Sequence, residues 1–283
     1  MSDEVEHLVV RYAAALVGVT VVEVDPSISS ESLLTILKNE DCRVLFASPR
    51  YAGQNRLEEL GKVFATELSP ALKEGSNLPI QSKRLRNLKF LVCSSVEFED
   101  GILRFCDLPV FGNDGTYEQD DIAAVQSYLA KSDTVTVYYT PSTNGFTKSG
   151  QTSHSQLLSS ASTAAKSLSL TPSDVLVTTA PYYSTLGLAA GPLAAASVSA
   201  KYVLPNKTFD ASKTLLAAGQ QKATVLVVLA EHVDALKTEL AKDEAKPEAK
   251  RSYNLSTVKR GVVIGAKNDS SVGSVTLKAM SAL

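Results

Sequence analysis

The segment from Val135 to His154 constrains this chain most, because it joins a strand pattern, a loop of small residues and the start of a helix. Residues 135–139 are a β-branched and aromatic run of strand length. The residues that follow are rich in Thr, Ser and Gly and include Lys148, and an Ala-, Ser- and Leu-rich helical segment comes next. A strand, a small-residue loop and a helix in this order can hold a polyphosphate through backbone N–H groups and an ammonium. A surface loop without a ligand has the same composition and stays open as an alternative.

The spacing Y-T-x-x-T-x-G-x-x-K-x-x-x-x-S-H over residues 139–154 resembles the phosphate-loop signature of the adenylate-forming superfamily. That superfamily includes acyl-CoA synthetases, luciferases and the adenylation domains of peptide synthetases. The departures from its pattern are Pro141 for Ser, Ser142 for Gly, Asn144 for Thr, Thr147 for Pro and Ser149 for Gly. The resemblance implies that the remnant of a phosphate loop consists of Thr140, Ser142, Thr143, Asn144, Gly145 and Lys148.

A second motif of the same superfamily reads P-x-F-H-x-x-G and follows a buried strand. Residues 181–187 of this chain read P-Y-Y-S-T-L-G, so that a serine stands where the family has histidine. The resemblance implies a remnant of the acyl or ATP site at Tyr183, Ser184 and Gly187.

Three apolar runs predict inner strands of a sheet: Val135–Tyr139, Val175–Thr179 and Thr224–Leu229. Their near-continuous apolar character is typical of strands that are covered on both faces. The fold class we expect is α/β, a layered sheet with helices on both faces, resembling part of the N-terminal domain of acyl-CoA synthetases. The resemblance covers roughly residues 8–270. We therefore expect one domain fragment over 1–283, with a charged linker at 242–251 and a terminal strand and helix segment at 252–283.

Two predicted helices carry informative apolar patterns. Residues 5–16 have helical periodicity, and Val9, Tyr12, Ala13 and Leu16 share one face. Residues 188–200 are apolar nearly all round, which indicates a buried helix, and Pro192 predicts a kink in it.

The composition restricts the partners and the compartment. A net charge of −2 gives no electrostatic reason for binding nucleic acid, and no apolar run approaches the ~18 residues of a membrane span. The three cysteines are odd in number and lack C-x-x-C spacing, which indicates reduced, mostly buried thiols. With only three histidines, a histidine metal site is not expected. These features predict a soluble intracellular protein without a metal site, and they leave cytoplasm and mitochondrion both open.

The phosphate loop predicts weak nucleotide binding. Pro141 has no backbone N–H to donate, and Ser142 does not adopt positive φ as readily as glycine. A hydrogen bond to a charged oxygen is worth ~1.5–3 kcal/mol, so that losing two lowers affinity by a factor of about 10² to 10⁴. The family's adenine-stacking turn, ribose-binding Asp and catalytic Lys also have no counterpart in this sequence. We expect no catalytic residue, and ATP with Mg²⁺ bound weakly if at all.

Three functions remain open. The first is a non-catalytic relative of acyl-CoA synthetases that serves as an accessory subunit, through partner subunits or self-association. The second is a partial AMP-forming acyl-CoA ligase that binds ATP or acyl substrate and is completed by a second chain. The third is an independent protein that binds a phosphate or CoA. The segment Leu186–Leu229 has few charges, so we expect an interface above ~1,000 Å² there, formed partly by the region after Val258.

Overall fold

The structure is a computed structural model that describes residues 1–64, 85–95, 102–112, 119–142, 145–265 and 275–276. The chain divides into two compact units, Met1–Ser153 and His154–Leu283. Each unit has its own sheets and its own hydrophobic core. A single domain fragment over 1–283 stays a prediction.

The first unit alternates strands and helices along most of its length. Its elements are α1 (Val5–Leu16), β1 (Val21–Val24), α2 (Ser30–Asn39), β2 (Val44–Ala47), β3 (Arg50–Tyr51), β4 (Gln54–Asn55), α3 (Arg56–Phe64), β5 (Phe90–Cys93), β6 (Leu103–Arg104), α4 (Leu108–Phe111), α5 (Gln119–Tyr128), β7 (Thr134–Ser142) and β8 (Gly145–Ser153). Helix α2 begins where the sequence favours it, since the Ser29 side chain accepts a hydrogen bond from the Ser32 N–H at 3.3 Å.

The strands of the first unit that the structure describes form two three-stranded sheets and a short β3–β4 ribbon. In one sheet β7 lies between β1, which is parallel to it, and β8, which is antiparallel. In the other, β5 lies between β2 and β6, and all three strands are parallel. The predicted strand Val135–Tyr139 is therefore confirmed as an inner strand.

Helices cover both faces of the β1–β7 pair. One face of that pair packs into a core with α2 and α3, which contains Val22, Val24, Leu33, Ile36, Leu37, Leu60, Val137 and Tyr139. Because side chains alternate along a strand, Glu23 and Thr136 lie on the opposite face. There they meet α1, whose buried residues are His7 and Arg11.

A buried charged cluster fixes α1 to that face. His7 Nε2 lies 2.9 Å from Glu23 Oε1 and 3.1 Å from Oε2. Arg11 pairs with the same carboxylate and donates from Nη2 to Thr136 Oγ1 at 2.7 Å. Burial alone would raise the pKa of Glu23, but the charges of His7 and Arg11 outweigh burial and hold it well below its usual range. Helix α1 thus buries its polar face and leaves its apolar face at the surface.

In the second unit, the strands within the described residues form one sheet, which helices cover. Its elements are α6 (His154–Ser167), β9 (Val175–Thr178), α7 (Thr185–Leu188), α8 (Ala194–Ser197), β10 (Lys201–Val203), α9 (Ala211–Gln220), β11 (Val225–Leu229), α10 (Val233–Glu244), β12 (Arg260–Ile264) and β13 (Val275–Thr276). The strand order is β10-β9-β11-β12-β13, parallel except for β13.

The sheet of the second unit is buried on both sides. One side packs with α6 and α8 in a core that includes Ala164, Leu168, Leu176, Ala194, Val225 and Val227. The other packs with α9 and α10 in a core that includes Val177, Leu215, Ala218, Leu226, Val228 and Leu236. The predicted inner strands Val175–Thr179 and Thr224–Leu229 are confirmed, as is the α/β class with helices on both faces.

The burial of the three cysteines differs in part from the prediction. Cys42, Cys93 and Cys106 are all free, but only Cys93 is buried, and Cys106 is exposed. Burial, aided by the nearby charges of Glu40 and Asp41, raises the pKa of Cys42 to about 11.

Within the described ranges, no helix combines the length and the hydropathy that a bilayer crossing requires.

Candidate functional site

The predicted phosphate loop is a β-hairpin rather than an extended loop. Strands β7 and β8 pair across it, with Thr140 opposite Thr147 and Ser142 opposite Gly145. Gly145 has φ +106°, a value that favours glycine, and the Ser142 hydroxyl donates to its carbonyl oxygen at 3.2 Å. Two members of the predicted remnant, residues 143 and 144, lie outside the described residues. Residues 145–153 form a strand despite their polar, small-residue composition, because their backbone N–H and C=O groups form hydrogen bonds with β7.

Lys148, the cation of the hairpin, is held by a carboxylate from α2's C-terminal end. Its Nζ lies 3.0 Å from Glu40 Oε1 and 3.3 Å from Oε2. The hydroxyl of Tyr139 donates to the same Oε1 at 2.7 Å. The side chain of Lys148 is 44% exposed and that of Glu40 is 18% exposed. Glu40 therefore binds both the lysine and the tyrosine of the motif.

The pKa directions agree with this arrangement. Partial burial would raise the pKa of Glu40, but the hydrogen bonds from Tyr139 and Lys148 outweigh burial and lower it. Burial, together with the hydrogen bond to the Glu40 carboxylate, raises the pKa of Tyr139 to about 12. The carboxylate is thus ionised at neutral pH and the tyrosine remains a hydrogen-bond donor.

The second remnant lies in the other unit, just after β9, and it is built around a helix start. Ser184 caps α7: its Oγ accepts from the Gly187 N–H at 3.0 Å and donates to the Pro181 carbonyl at 2.8 Å. A Cβ on Gly187 would lie 2.1 Å from that carbonyl oxygen, so only glycine fits there. Tyr183 is half-buried. In this chain the hydroxyl that replaces the family's imidazole is used in a structural cap.

Sequence reasoning did not single out Glu40. It lies 108 residues before Lys148 in the chain, and no motif links the two positions. The buried partners of Glu23 were missed for the same reason: a charged residue in a strand pattern indicates an exposed position unless its partner is known. Among the described residues, no cluster of three or more His, Cys, Asp or Glu could hold a metal ion.

The hairpin with its lysine and the largely parallel sheet of the second unit fit the α/β architecture expected from the resemblance to adenylate-forming proteins. Comparison with known proteins agrees: the model of the AMP-binding enzyme family matches residues 1–280. The chain belongs to the AMP-binding enzyme family.

Known relatives are similar in sequence, and a solved structure shares the fold. The Bacillus subtilis (strain 168) protein YngI, provisionally named an acyl-CoA synthetase, is 25% identical over 275 residues, or 97% of this chain and 47% of YngI. The acyl-CoA ligase sidI of Aspergillus fumigatus is 26% identical over 262 residues, or 92% of this chain and 40% of sidI. The crystal structure of the anthranilate CoA ligase AuaEII with anthranoyl-AMP superposes with a TM-score of 0.65 at 17% identity, covering 93% of this chain and 44% of that one. The chain therefore spans less than half the length of these proteins.

Proposed function

We propose that this chain is a non-catalytic, acyl-CoA synthetase-like protein that serves as a structural or accessory subunit of a larger assembly. The observation that carries the proposal is the ion pair between Lys148 and Glu40. Within the described hairpin, Lys148 is the ammonium that the resemblance assigns to a polyphosphate, and its charge is already balanced by a carboxylate.

The balance of charges supports the expectation of weak polyphosphate binding. A phosphate at hydrogen-bond distance from Lys148 Nζ lies within a few ångströms of Glu40. Two like unit charges ~4 Å apart repel by about 4 kcal/mol at an effective dielectric constant of 20. A partly exposed ion pair such as Lys148 with Glu40 contributes only ~0–1 kcal/mol by itself. The repulsion by Glu40 therefore cancels most of the attraction that Lys148 offers to a phosphate, and Pro141 supplies no backbone donor to make up the difference.

Calorimetry with Mg-ATP on the whole chain tests this proposal. The expected dissociation constant is weaker than about 1 mM, which corresponds to less than ~4.1 kcal/mol of binding free energy. Replacing Glu40→Gln removes the repulsion and keeps an acceptor for Tyr139, so binding should tighten at least ~tenfold. Glu31→Gln, on the same helix and exposed, is the matched control and should change nothing. A low-micromolar dissociation constant for the unchanged chain would overturn the proposal.

The second candidate is a partial AMP-forming acid–thiol ligase that a partner chain completes. It is favoured by Gly145, whose φ of +106° is one that glycine adopts readily, and by the partial exposure of Lys148. The names of the relatives indicate acyl substrates. Carboxylate-dependent exchange between pyrophosphate and ATP, measured with the chain alone and with proteins captured on it from native extract, separates the two candidates. Exchange that appears only in the captured complex and disappears with Lys148→Ala in this chain supports the ligase.

A further inference from the structure

A stacked pair of rings, His232 and Phe209, joins the starts of two helices in the second unit. The ring centroids lie 3.6 Å apart, and the ring planes differ in direction by 4°. His232 is the residue before α10, and Phe209 precedes Asp210, whose side chain caps α9. Because α9 and α10 cover the same side of the sheet, the stack connects the two helices of one covering layer.

The stack lies at the carboxyl-end edge of the parallel strands. His232 ends the short turn that follows β11, and the backbone of Thr179, directly after β9, acts on its ring. The two strand ends are also joined directly, since the Leu229 N–H donates to Thr179 Oγ1 at 2.8 Å. Open α/β sheets bind ligands at this edge, so the state of the stack determines how accessible the edge is.

The two ring nitrogens of His232 have different surroundings. The side chain is 14% exposed, and Nε2 lies 3.6 Å from Glu231 Oε1. Nδ1 is buried and forms no hydrogen bond within the part of the chain that the structure describes. A neutral imidazole can leave Nδ1 without a proton, whereas an imidazolium donates from both nitrogens. Protonation of the stacked ring would therefore bury an N–H group that has no acceptor, which costs free energy.

The charged groups around the stack do not reverse this preference. Burial lowers the pKa of His232, and it outweighs the opposing effects of the Glu231 charge and the Thr179 backbone. Glu231 is 73% exposed, so that solvent screens its charge. The other charged residues close to these helix starts in the sequence are Lys207, Lys213 and Asp234, which are exposed, and Asp210, which caps α9.

We propose that the stack of His232 on Phe209 is an acid-sensitive latch that holds this edge of the second unit's sheet closed. Near neutral pH the uncharged imidazole keeps the starts of α9 and α10 together. In mild acid the ring takes up a proton, leaves the phenyl face and becomes hydrated, and the two helix starts separate locally. The middle of each helix stays in place, because Leu215 and Leu236 are buried in the same core. The inference goes beyond the proposed subunit function and does not depend on it.

The sign of the pH effect follows from the burial of the ring. An imidazole whose pKa in the folded protein is below its ordinary value of about 6.5 stabilises the folded state above that value. This contribution is lost as the pH falls through the folded value. A cation is also attracted to the face of a phenyl ring, and that attraction would act in the opposite direction. The latch therefore requires that the cost of burial exceeds this attraction, which a titration measures.

An NMR titration of the whole chain measures the protonation step. The sequence contains only three histidines, so replacing each one in turn by glutamine assigns its imidazole signals. We expect His232 to titrate below about 6.5. A value at or above about 6.5 would overturn the proposal, because the protonated ring would then be at least as stable in the stack as in water.

Hydrogen exchange measures the opening, with each rate divided by that of an unstructured peptide at the same pH. Between ~pH 7.5 and ~pH 5.5, protection at residues 205–214 and 229–236 should fall at least ~threefold, while protection at Val135–Tyr139 in the first unit should not change. His232→Phe keeps an aromatic ring beside Phe209 but takes up no proton, so the fall should disappear. His154→Phe, at another half-buried histidine, is the matched control and should retain the fall.

Three results of the exchange experiment would contradict the latch. They are an unchanged protection at both pH values, an equal loss in both units, and a fall that persists in His232→Phe. If His232→Phe does not fold, the titration and the exchange measured on the unchanged chain still decide the outcome. Mg-ATP binding is measured separately, so that the latch and the proposed function can fail independently.

Discussion

At the scale of single residues, polar side chains in this chain are bound to one another more than the sequence indicates. Glu40 neutralises the lysine of the hairpin, and Ser184 is used in a cap. Asp174 shows the same tendency at the start of the second sheet. It accepts from Thr224 Oγ1 at 2.6 Å and from the Thr171 N–H at 2.8 Å, and it pairs with Arg260. Such bonds fix the geometry of a site and also determine how it responds to substitution and pH.

Gly187 offers a test of the cap. Gly187→Ala should lower the free energy of unfolding by about 1–3 kcal/mol, the usual cost of forcing extra atoms into a packed site, because its Cβ would lie 2.1 Å from the Pro181 carbonyl oxygen. Gly150→Ala is the matched control, since a Cβ there meets nothing within 4 Å. Urea denaturation measures both. Equal stability of the two variants would show that the turn relaxes freely.

Asp174 predicts a pH dependence with a definite sign. Burial alone would raise its pKa, but the hydrogen bonds from Arg260, Thr224 and Thr171 outweigh burial and hold it well below its usual range. A carboxyl whose folded pKa is depressed stabilises the protein above its ordinary pKa of about 3.9, and this contribution is lost as the pH falls through the folded value. Asp174→Asn should therefore cost about 2 kcal/mol near pH 7.

The difference between the unchanged chain and Asp174→Asn should shrink steadily between about pH 5 and pH 2. Denaturation curves at stepped pH measure it. Asp234→Asn, at an exposed position in the first turn of α10, serves as the control. A difference that grows in acid would contradict the assignment.

At the scale of helices and strands, local sequence patterns predicted the positions of several elements, but not always which residues those elements contact. The bounds of α1 follow from its periodicity, and the kink near Pro192 is confirmed: α7 and α8 flank a π-helical turn in which Gly191 leaves helical geometry (φ −101°, ψ −107°). The residue before proline disfavours the helical region.

Two features of these elements could not be predicted locally. The apolar face of α1 points outward, because His7 and Arg11 bind groups up to 125 residues away. Strand β8 was predicted as a loop because its composition is that of a loop, and only its pairing with β7 makes it a strand. The site residues on the hairpin could be named from spacing alone, whereas the carboxylate that binds Lys148 could not.

The outward face of α1 gives a prediction about solubility. Val5, Val9, Tyr12 and Leu16 are 64%, 48%, 46% and 53% exposed. Replacing Val9→Lys together with Leu16→Glu should change the free energy of unfolding by less than about 0.5 kcal/mol per site, as for other surface positions, and should reduce light scattering at high concentration. The inward substitution Arg11→Leu is the contrast: it leaves Glu23 with one partner fewer and should cost about 3–5 kcal/mol. A large cost for the outward pair would mean that this face is covered in the isolated chain.

At the scale of the whole chain, the position of exposed apolar side chains differs from expectation. The segment Leu186–Leu229 was predicted to need a cover, but its large apolar residues are buried in the second unit's cores, and only Leu216 is markedly exposed, at 37%. The premise of an uncovered apolar surface was wrong, because helices on both faces of the sheet supply the cover. The expected interface with the region after Val258 stays a prediction. Exposed large apolar residues instead concentrate on two helices of the first unit. On α1 they are the four residues named above, and on α5 they are Ile122, Val125 and Tyr128.

These surfaces predict that the chain associates. Expressed alone, it should elute as a species larger than one chain, or it should capture a stable partner from native extract, since exposed apolar faces of this extent mark interaction sites. Size-exclusion chromatography with light scattering measures the first, and a pull-down measures the second. The α1 variant Val9→Lys with Leu16→Glu provides the control and should shift the chain towards the monomer. A well-behaved monomer without a stable partner would favour an independent binding protein.

The contacts of Arg260 determine when the second unit can complete its fold during synthesis. This guanidinium on β12 donates to the carbonyl of Leu168 at 2.7 Å and pairs with Asp174, so it ties the fourth strand of the sheet to residues 86 to 92 positions earlier. Strands β9, β10 and β11 leave the ribosome first, yet β11 keeps an unpaired edge until β12 has emerged. Non-local pairing of this kind is slow and exposes apolar strand edges meanwhile. We therefore expect the second unit's core to close only after β12, up to Ile264, has left the ribosome and paired with β11.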